Sequence, residues 1–402
     1  MSPAAKNAAA IADARPRVVS ALAVHLRDLD AAEDAFSEAM EACLSLDALP
    51  DNVTAWLLTV AKRKAVDAIR RREAETRSAE GAAMVNDMAE ILQLPEPIAD
   101  ERLRLILICC HPSLALEARA AMALKVICGL PVGAIAKVFL TSKVTMFQRI
   151  TRAKAKVREA QIAFELPHRK HWPERLDAVL LTLELAYTVA YQDAGGECDP
   201  ELSEEIGRLS AMVAELLPEE PEALGLAALI ALARSREGAR LDVDGAMIPL
   251  SQQDTAQWDH DLIEQARQWL DKAAEHAATG PYQVMAAMQL THARRLHSDA
   301  TDWPAIVKLY DALMVLRPGP MIALNRALAV AQIEGAANGM ALLDALPADR
   351  LKNARPLFVA KARLLVDLGD KSAAREAFDA ALALQPARAE RLYLERKRKS
   401  LS

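Results

Sequence analysis

Aromatic residues make up only 4% of this 402-residue chain and glycine occurs 14 times, while Ala and Leu recur in almost every block of ten. That composition predicts an all-α protein. No apolar run reaches the roughly 20 residues that a membrane span requires. The segment Met1 to Ala14 also lacks the charged-then-apolar layout of a signal peptide. Both absences predict a cytoplasmic protein with no membrane partner. The five cysteines (Cys43, Cys109, Cys110, Cys128, Cys198) are odd in number and form no C-x-x-C pair. Neither a disulfide framework nor a zinc site is expected, and the thiols read as reduced and structural. There is no Gly-rich phosphate loop, no G-x-S-x-G and no H-E-x-x-H, so no residue suggests an enzyme, a cofactor or a small-molecule substrate.

A net charge of -6 argues against nucleic-acid binding until its distribution is examined. Residues 1–170 carry 24 basic against 21 acidic residues, leaving 25 against 34 for the remainder. Between Glu117 and Glu159 there is no acid at all, while Arg119, Lys125, Lys137, Lys143, Arg149, Arg152, Lys154, Lys156 and Arg158 supply nine cations. Such a stretch is a candidate phosphate-binding surface.

At roughly 100 to 200 residues per domain, the chain should hold two or three. Apolar spacing near 3.6 predicts helices over 16–46 and 53–72, with a turn at Leu49-Pro50-Asp51-Asn52. An aperiodic stretch comes next, rich in Ala, Glu, Gly and Ser and ending in Pro95-Glu96-Pro97, as a linker would. The boundaries expected are 1–74 for a first helical domain, 75–100 for the linker, 101–165 for a second domain and 166–402 for a helical extension. In the extension, Ala374, Phe378, Ala381 and Pro386 match the positions of Ala, Phe, Ala and Pro in a 34-residue tetratricopeptide (TPR) repeat. Tyr310 and Pro318 lie 68 residues before Phe378 and Pro386, two such periods earlier, with Lys352 where the intervening proline would fall. Residues 174–280 are helical but off-register, with a loop or short hairpin expected at Asp242 to Pro249.

The most informative stretch is Gly129 to Arg158. A helix after Pro131, a turn at Thr141-Ser142 whose hydroxyl can cap the next helix, and that second helix have helix-turn-helix spacing. Met146, Ile150, Ala153 and Val157 form one buried stripe, which directs Thr145, Gln148, Arg149, Thr151, Arg152, Lys154 and Lys156 outward. Arg can pair with guanine and Gln with adenine, and the later Lys residues suit phosphates. The plainer alternative is the solvated face of an ordinary bundle helix. It fits less well, because two successive helices lack any acid.

The helix from Thr54 is also basic. Leu57, Val60, Ala61, Ala65, Ala68 and Ile69 form its expected buried face, leaving Lys62, Arg63, Lys64, Arg70, Arg71 and Arg72 around the rest. Trp56 at its start suits the core or a wedge against an unstacked base. Upstream, Asp28, Asp30, Glu33, Asp34, Glu38 and Glu41 make an acidic face that suits a protein partner. Cys109-Cys110-His111 reads as structural, since adjacent helical residues diverge by about 100°, and His168 and His171 read as linker residues.

The order of the acidic helix Ala32 to Met40, the segment Asp51 to Arg71, a linker and the helix-turn-helix resembles extracytoplasmic-function (ECF) sigma factors of the sigma-70 superfamily. The resemblance covers residues 16–165. With Cys109 to Pro112, Thr145 to Lys154, Pro221 to Leu229 and Gly280 to Gln283 it extends to the subgroup bearing a C-terminal TPR-containing extension. It implies that Asp30, Glu33, Asp34 and Glu38 dock on the β′ clamp helices of core RNA polymerase. It also implies that Asn52, Trp56, Lys62, Arg63, Arg70 and Arg71 contact the -10 promoter element. Ser142, Lys143, Thr145, Gln148, Arg149, Arg152 and Lys154 would contact the -35 element, with this domain resting on the β flap. Arg63 stands where many members have Asn, which favours a phosphate contact there. The extension would regulate activity through a protein partner or the chain's own domains. Two rival readings act without polymerase: a helix-turn-helix regulator that binds operators, and a TPR adaptor.

Overall fold

The computed structural model describes residues 3–46, 49–76, 105–139, 141–159, 168–192, 200–296, 298, 300–347, 351 and 354–401. The fold is all-α. The expected linker falls almost wholly outside the described residues, as do Pro167, Cys198 and Lys352. The chain divides into two compact units, Met1–Ala186 and Tyr187–Ser402.

In the first unit, α1 (Pro3–Leu26), α2 (Leu29–Leu44) and α3 (Val53–Thr76) pack together. The helix expected over 16–46 is two helices. Arg27 takes a left-handed φ of 52°, and the Asp28 carboxylate accepts from the backbone N–H groups of Asp30 (2.9 Å) and Ala31 (3.1 Å). Those bonds satisfy donors that a helix start leaves open, so a new helix begins there. Leu29, Ala32, Ala35, Phe36, Ala39 and Cys43 recur at helical spacing and form the buried face of α2.

The rest of this unit comprises a helical segment at 105–109, α4 (Leu116–Val126), α5 (Val132–Val138), α6 (Lys143–Glu159) and α7 (Pro173–Gln192). Buried Arg175 on α7 donates from Nη1 to the Leu107 carbonyl at 2.5 Å. The buried Cys110 thiol bonds Thr182 on the same helix, and burial raises that thiol to about 12. These contacts carry the compact unit through most of α7. Cys43, Cys109, Cys110 and Cys128 are all buried.

The second unit is a succession of antiparallel hairpins. Its helices are α8 (Pro200–Leu216), α9 (Pro221–Arg234), α10 (His260–Ala274), α11 (Pro281–Ala293), α12 (Trp303–Leu316), α13 (Pro320–Glu334), α14 (Ala336–Asp344), α15 (Arg355–Asp367), α16 (Lys371–Ala383) and α17 (Arg388–Lys399). Between α9 and α10, Leu241 and Met247 pair as an antiparallel bridge around a turn at Gly245, where φ is +79°. The expected excursion is thus a short hairpin. Ala374, Phe378, Ala381 and Pro386 are buried in the last hairpins.

The Pro221 to Leu229 and Gly280 to Gln283 segments form one structure. Glu222 on α9 accepts from the N–H groups of Tyr282 (3.0 Å) and Gln283 (3.1 Å) at the start of α11, and from the Gln283 side chain at 3.3 Å. A carboxylate there satisfies open donors and faces the positive end of the helix dipole. The approach demands glycine on both sides. A Cβ on Gly225 would come 2.6 Å from the Gln283 nitrogen, and one on Gly280 would meet the Glu222 carboxylate at 2.2 Å.

Candidate nucleic-acid interface

The two helices expected to form a helix-turn-helix are α5 and α6. Ser142 stands at the start of α6, where its hydroxyl accepts from the Thr145 N–H at 3.1 Å and lies 2.8 Å from the Thr145 hydroxyl. Met146, Ile150, Ala153 and Val157 are buried, which leaves Ser142, Lys143, Thr145, Gln148 and Arg152 exposed along the opposite side. Phe147 (61% exposed) and Val144 (67%) project among these cations and place apolar surface beside them. Arg149 is held on its own domain: its guanidinium pairs with Glu117 of α4 at 2.7 Å and lies 5.9 Å from the Phe139 ring centre.

On α3, the Asn52 side chain accepts from the Ala55 N–H at 3.0 Å and caps the helix, while Trp56 is half-buried. Arg63, Arg70 and Arg71 are exposed. Lys62 departs from expectation. It is buried between Leu58 and Val66, because the apolar face of α3 runs along positions 58, 62 and 66, and burial lowers its pKa below the ordinary value. Its stem is packed into that face, so Lys62 offers less surface to DNA than the exposed Arg63, Arg70 and Arg71. Opposite α3, Asp34 and Glu38 of α2 face Lys64 and Arg71 across a groove of about 290 Å³, with Lys64 and Glu38 3.5 Å apart.

The remaining two acids meet the other domain. Lys154 of α6 places its ammonium 2.6 Å from Glu33 and 3.0 Å from Asp30, and Arg158 reaches Asp30 at 3.3 Å. Arg15 of α1 completes the cluster, bonding Glu33 at 2.6 Å and the Lys125 carbonyl of α4 at 3.3 Å. Burial pushes the Glu33 carboxyl up, but the Lys154 hydrogen bond and the charges of Lys154, Arg15 and Lys125 outweigh it and leave the group below its usual value. Burial likewise pulls Lys154 down, and Glu33 and Asp30 more than restore it. Reading the sequence by separate helices missed this pairing. Its signal was present as an acid-free helix and an acid-rich one in the same basic half of the chain.

Residues 10–75 match sigma-70 region 2. Residues 175–274 match a family of unknown function, DUF6596. The chain is also 37% identical over 396 residues to an uncharacterized protein of Rhizobium meliloti, covering 96% of this chain and 93% of the relative. It is a sigma-70 family member. No solved structure matches. Sigma-70 region 2 is a module of non-enzymatic transcription initiation factors, and it implies binding to core RNA polymerase and promoter DNA. In this sigma-70 protein the region comprises α1 to α3. Among the described residues no group of three His, Cys, Asp or Glu could hold a metal ion, and no helix is long and apolar enough to cross a membrane.

Proposed function

We propose that this sigma-70 protein is an ECF-type sigma factor: α2 docks on the β′ clamp helices of core RNA polymerase, α3 contacts the -10 element and α6 reads the -35 element. The observation that carries this reading is the joint presence of sigma-70 region 2 and, in the same compact unit, a capped helix-turn-helix whose second helix is basic and exposes Phe147 and Val144. Neither basic helix alone presents enough charge for tight promoter binding. Polymerase supplies the second half of the interaction by holding both helices to one duplex, so that the second contact forms at a high effective concentration.

The C-terminal extension is a TPR-like array that regulates activity through a protein partner or the chain's own sigma domains. The TPR-spaced Ala374, Phe378, Ala381 and Pro386, buried among stacked hairpins, support that architecture. Runoff transcription tests the function: core polymerase plus this chain should start RNA at one defined nucleotide on a cognate promoter. A chain that binds operator DNA and never makes core initiate would instead be a regulator acting without polymerase.

A further inference from the structure

Lys154 and Arg158 of α6, with Arg15 of α1, surround Asp30 and Glu33 on α2. Two surfaces read as serving different macromolecules therefore occupy one another. Lys154 and Glu33 have side-chain exposures of 14% and 20%, so neither is open to a third partner while the pair is made. Arg15 also ties α1 to the α4 backbone, which adds a hydrogen bond from a charged donor to the same seam.

We propose that this ion cluster is an autoinhibitory latch: the free chain holds its helix-turn-helix against its own polymerase-docking face, and core polymerase engages by breaking the Lys154–Glu33 and Arg158–Asp30 pairs. The inference rests on the sigma-factor reading above. A latch of this kind makes core binding weaker than the intrinsic affinity of the open form, in proportion to the open fraction. It also keeps one major cation of α6 away from DNA until polymerase is present. Salt screens the exposed Arg158–Asp30 pair more than the partly buried Lys154–Glu33 pair, so high salt weakens the latch from its exposed side.

The test uses the full chain in a Cys198→Ser background, spin-labelled at Ser37→Cys on α2 and Thr151→Cys on α6, both exposed positions. A single short interspin distance is expected at low salt, broadening at high salt and on adding core polymerase. Core affinity is measured in parallel. Lys154→Ala should tighten core binding about fivefold or more, the scale of a typical coupling between sites. Arg158→Ala, an exposed residue that can be removed without risk to folding, should tighten it less. A residue that only contacts DNA would leave core affinity unchanged. Unchanged affinity in both variants, or a distance insensitive to polymerase, overturns the latch. If the wild-type chain binds no core at any salt, the sigma-factor reading falls as well, and the distance measurement still decides whether the cluster holds the two domains together.

Discussion

The ammonium of Lys154 lies 2.6 Å from a carboxylate oxygen of Glu33, a residue 121 positions earlier in the chain. Glu33 is the common anion for Lys154 and Arg15, and it also lowers the electrostatic cost of Lys125 nearby. Replacing it by Gln keeps the shape and removes the charge, so three cations are left facing one another in a partly desolvated seam. We expect Glu33→Gln to destabilise the first unit by about 1–3 kcal/mol, less than a fully buried pair because the seam retains some solvent. Chemical denaturation followed on this unit measures it.

The same residue fixes a pH dependence. Because the folded Glu33 carboxyl is held below its ordinary value of 4.5, its contribution is fully present above that value and is lost as pH falls through the depressed folded one. Asp30, Lys154, Arg158, Arg15 and Lys125 are the charged groups around it. The stability gap between wild type and Glu33→Gln should therefore be constant from neutral pH down to about 5 and narrow below 4.5 as pH falls through the depressed folded value. A gap that does not narrow at all on acidification would mean the substitution acts through packing.

In the second unit, Gly225→Ala should be costly. The new methyl would press on the Gln283 backbone, whose N–H, like that of Tyr282 beside it, is bonded to Glu222, so it cannot move without uncapping α11. Overpacking of this kind costs about 1–3 kcal/mol. Glu222→Ala should cost about 1–2 kcal/mol by loss of the cap. The double variant should lose less than the sum, since the two act on one junction. Additive losses would show that the two segments are independent.

Helix-scale features were legible in the sequence because each is set locally. The Met146, Ile150, Ala153, Val157 stripe and the Ser142 cap follow from spacing and one hydroxyl, and both occur as read. Lys62 was misread for a reason of geometry. Leu57, Ala61 and Ala65 of the expected face are buried, and Leu58 and Val66, which flank Lys62 at i-4 and i+4, widen that face by one row to take in its stem. The Lys154–Glu33 pair was signalled only by the charge contrast of the two helices: periodicity says which way a side chain faces its own helix, and nothing in it reports a partner 121 residues away. Arg27 and Asp28 show the middle case, where a cap residue was present in an apolar pattern that ran on past it.

Arg149 separates reading of bases from phosphate binding. Its partner Glu117 is 64% exposed, so the pair is weak and DNA can compete for the guanidinium. Glu117→Ala should raise affinity for the upstream element modestly. Arg149→Ala should lower it by about 1–3 kcal/mol on the cognate sequence and much less on others. Equal loss on every sequence would assign Arg149 to a phosphate. For comparison, Lys143→Ala and Arg152→Ala, both exposed, should each reduce the slope of log affinity against log salt by about 0.9. Fluorescence anisotropy across a salt series distinguishes the two patterns.

Truncation tests the regulatory role of the extension, and the structure determines where to cut. A break just before α7 would remove Arg175 and Thr182 from the Leu107 and Cys110 contacts and expose the buried Cys109–Cys110 segment, so loss of activity there would report misfolding. Ending the chain at Gln192 keeps all of α7 with the first unit. If the extension restrains the factor, this shortened chain should initiate from the cognate promoter at a higher level than the full chain, with core affinity unchanged or tighter. If the extension delivers an activating partner, transcription should fall while core binding and the promoter start site persist. Equal transcription and equal induction by both chains would remove any regulatory role from residues 193–402.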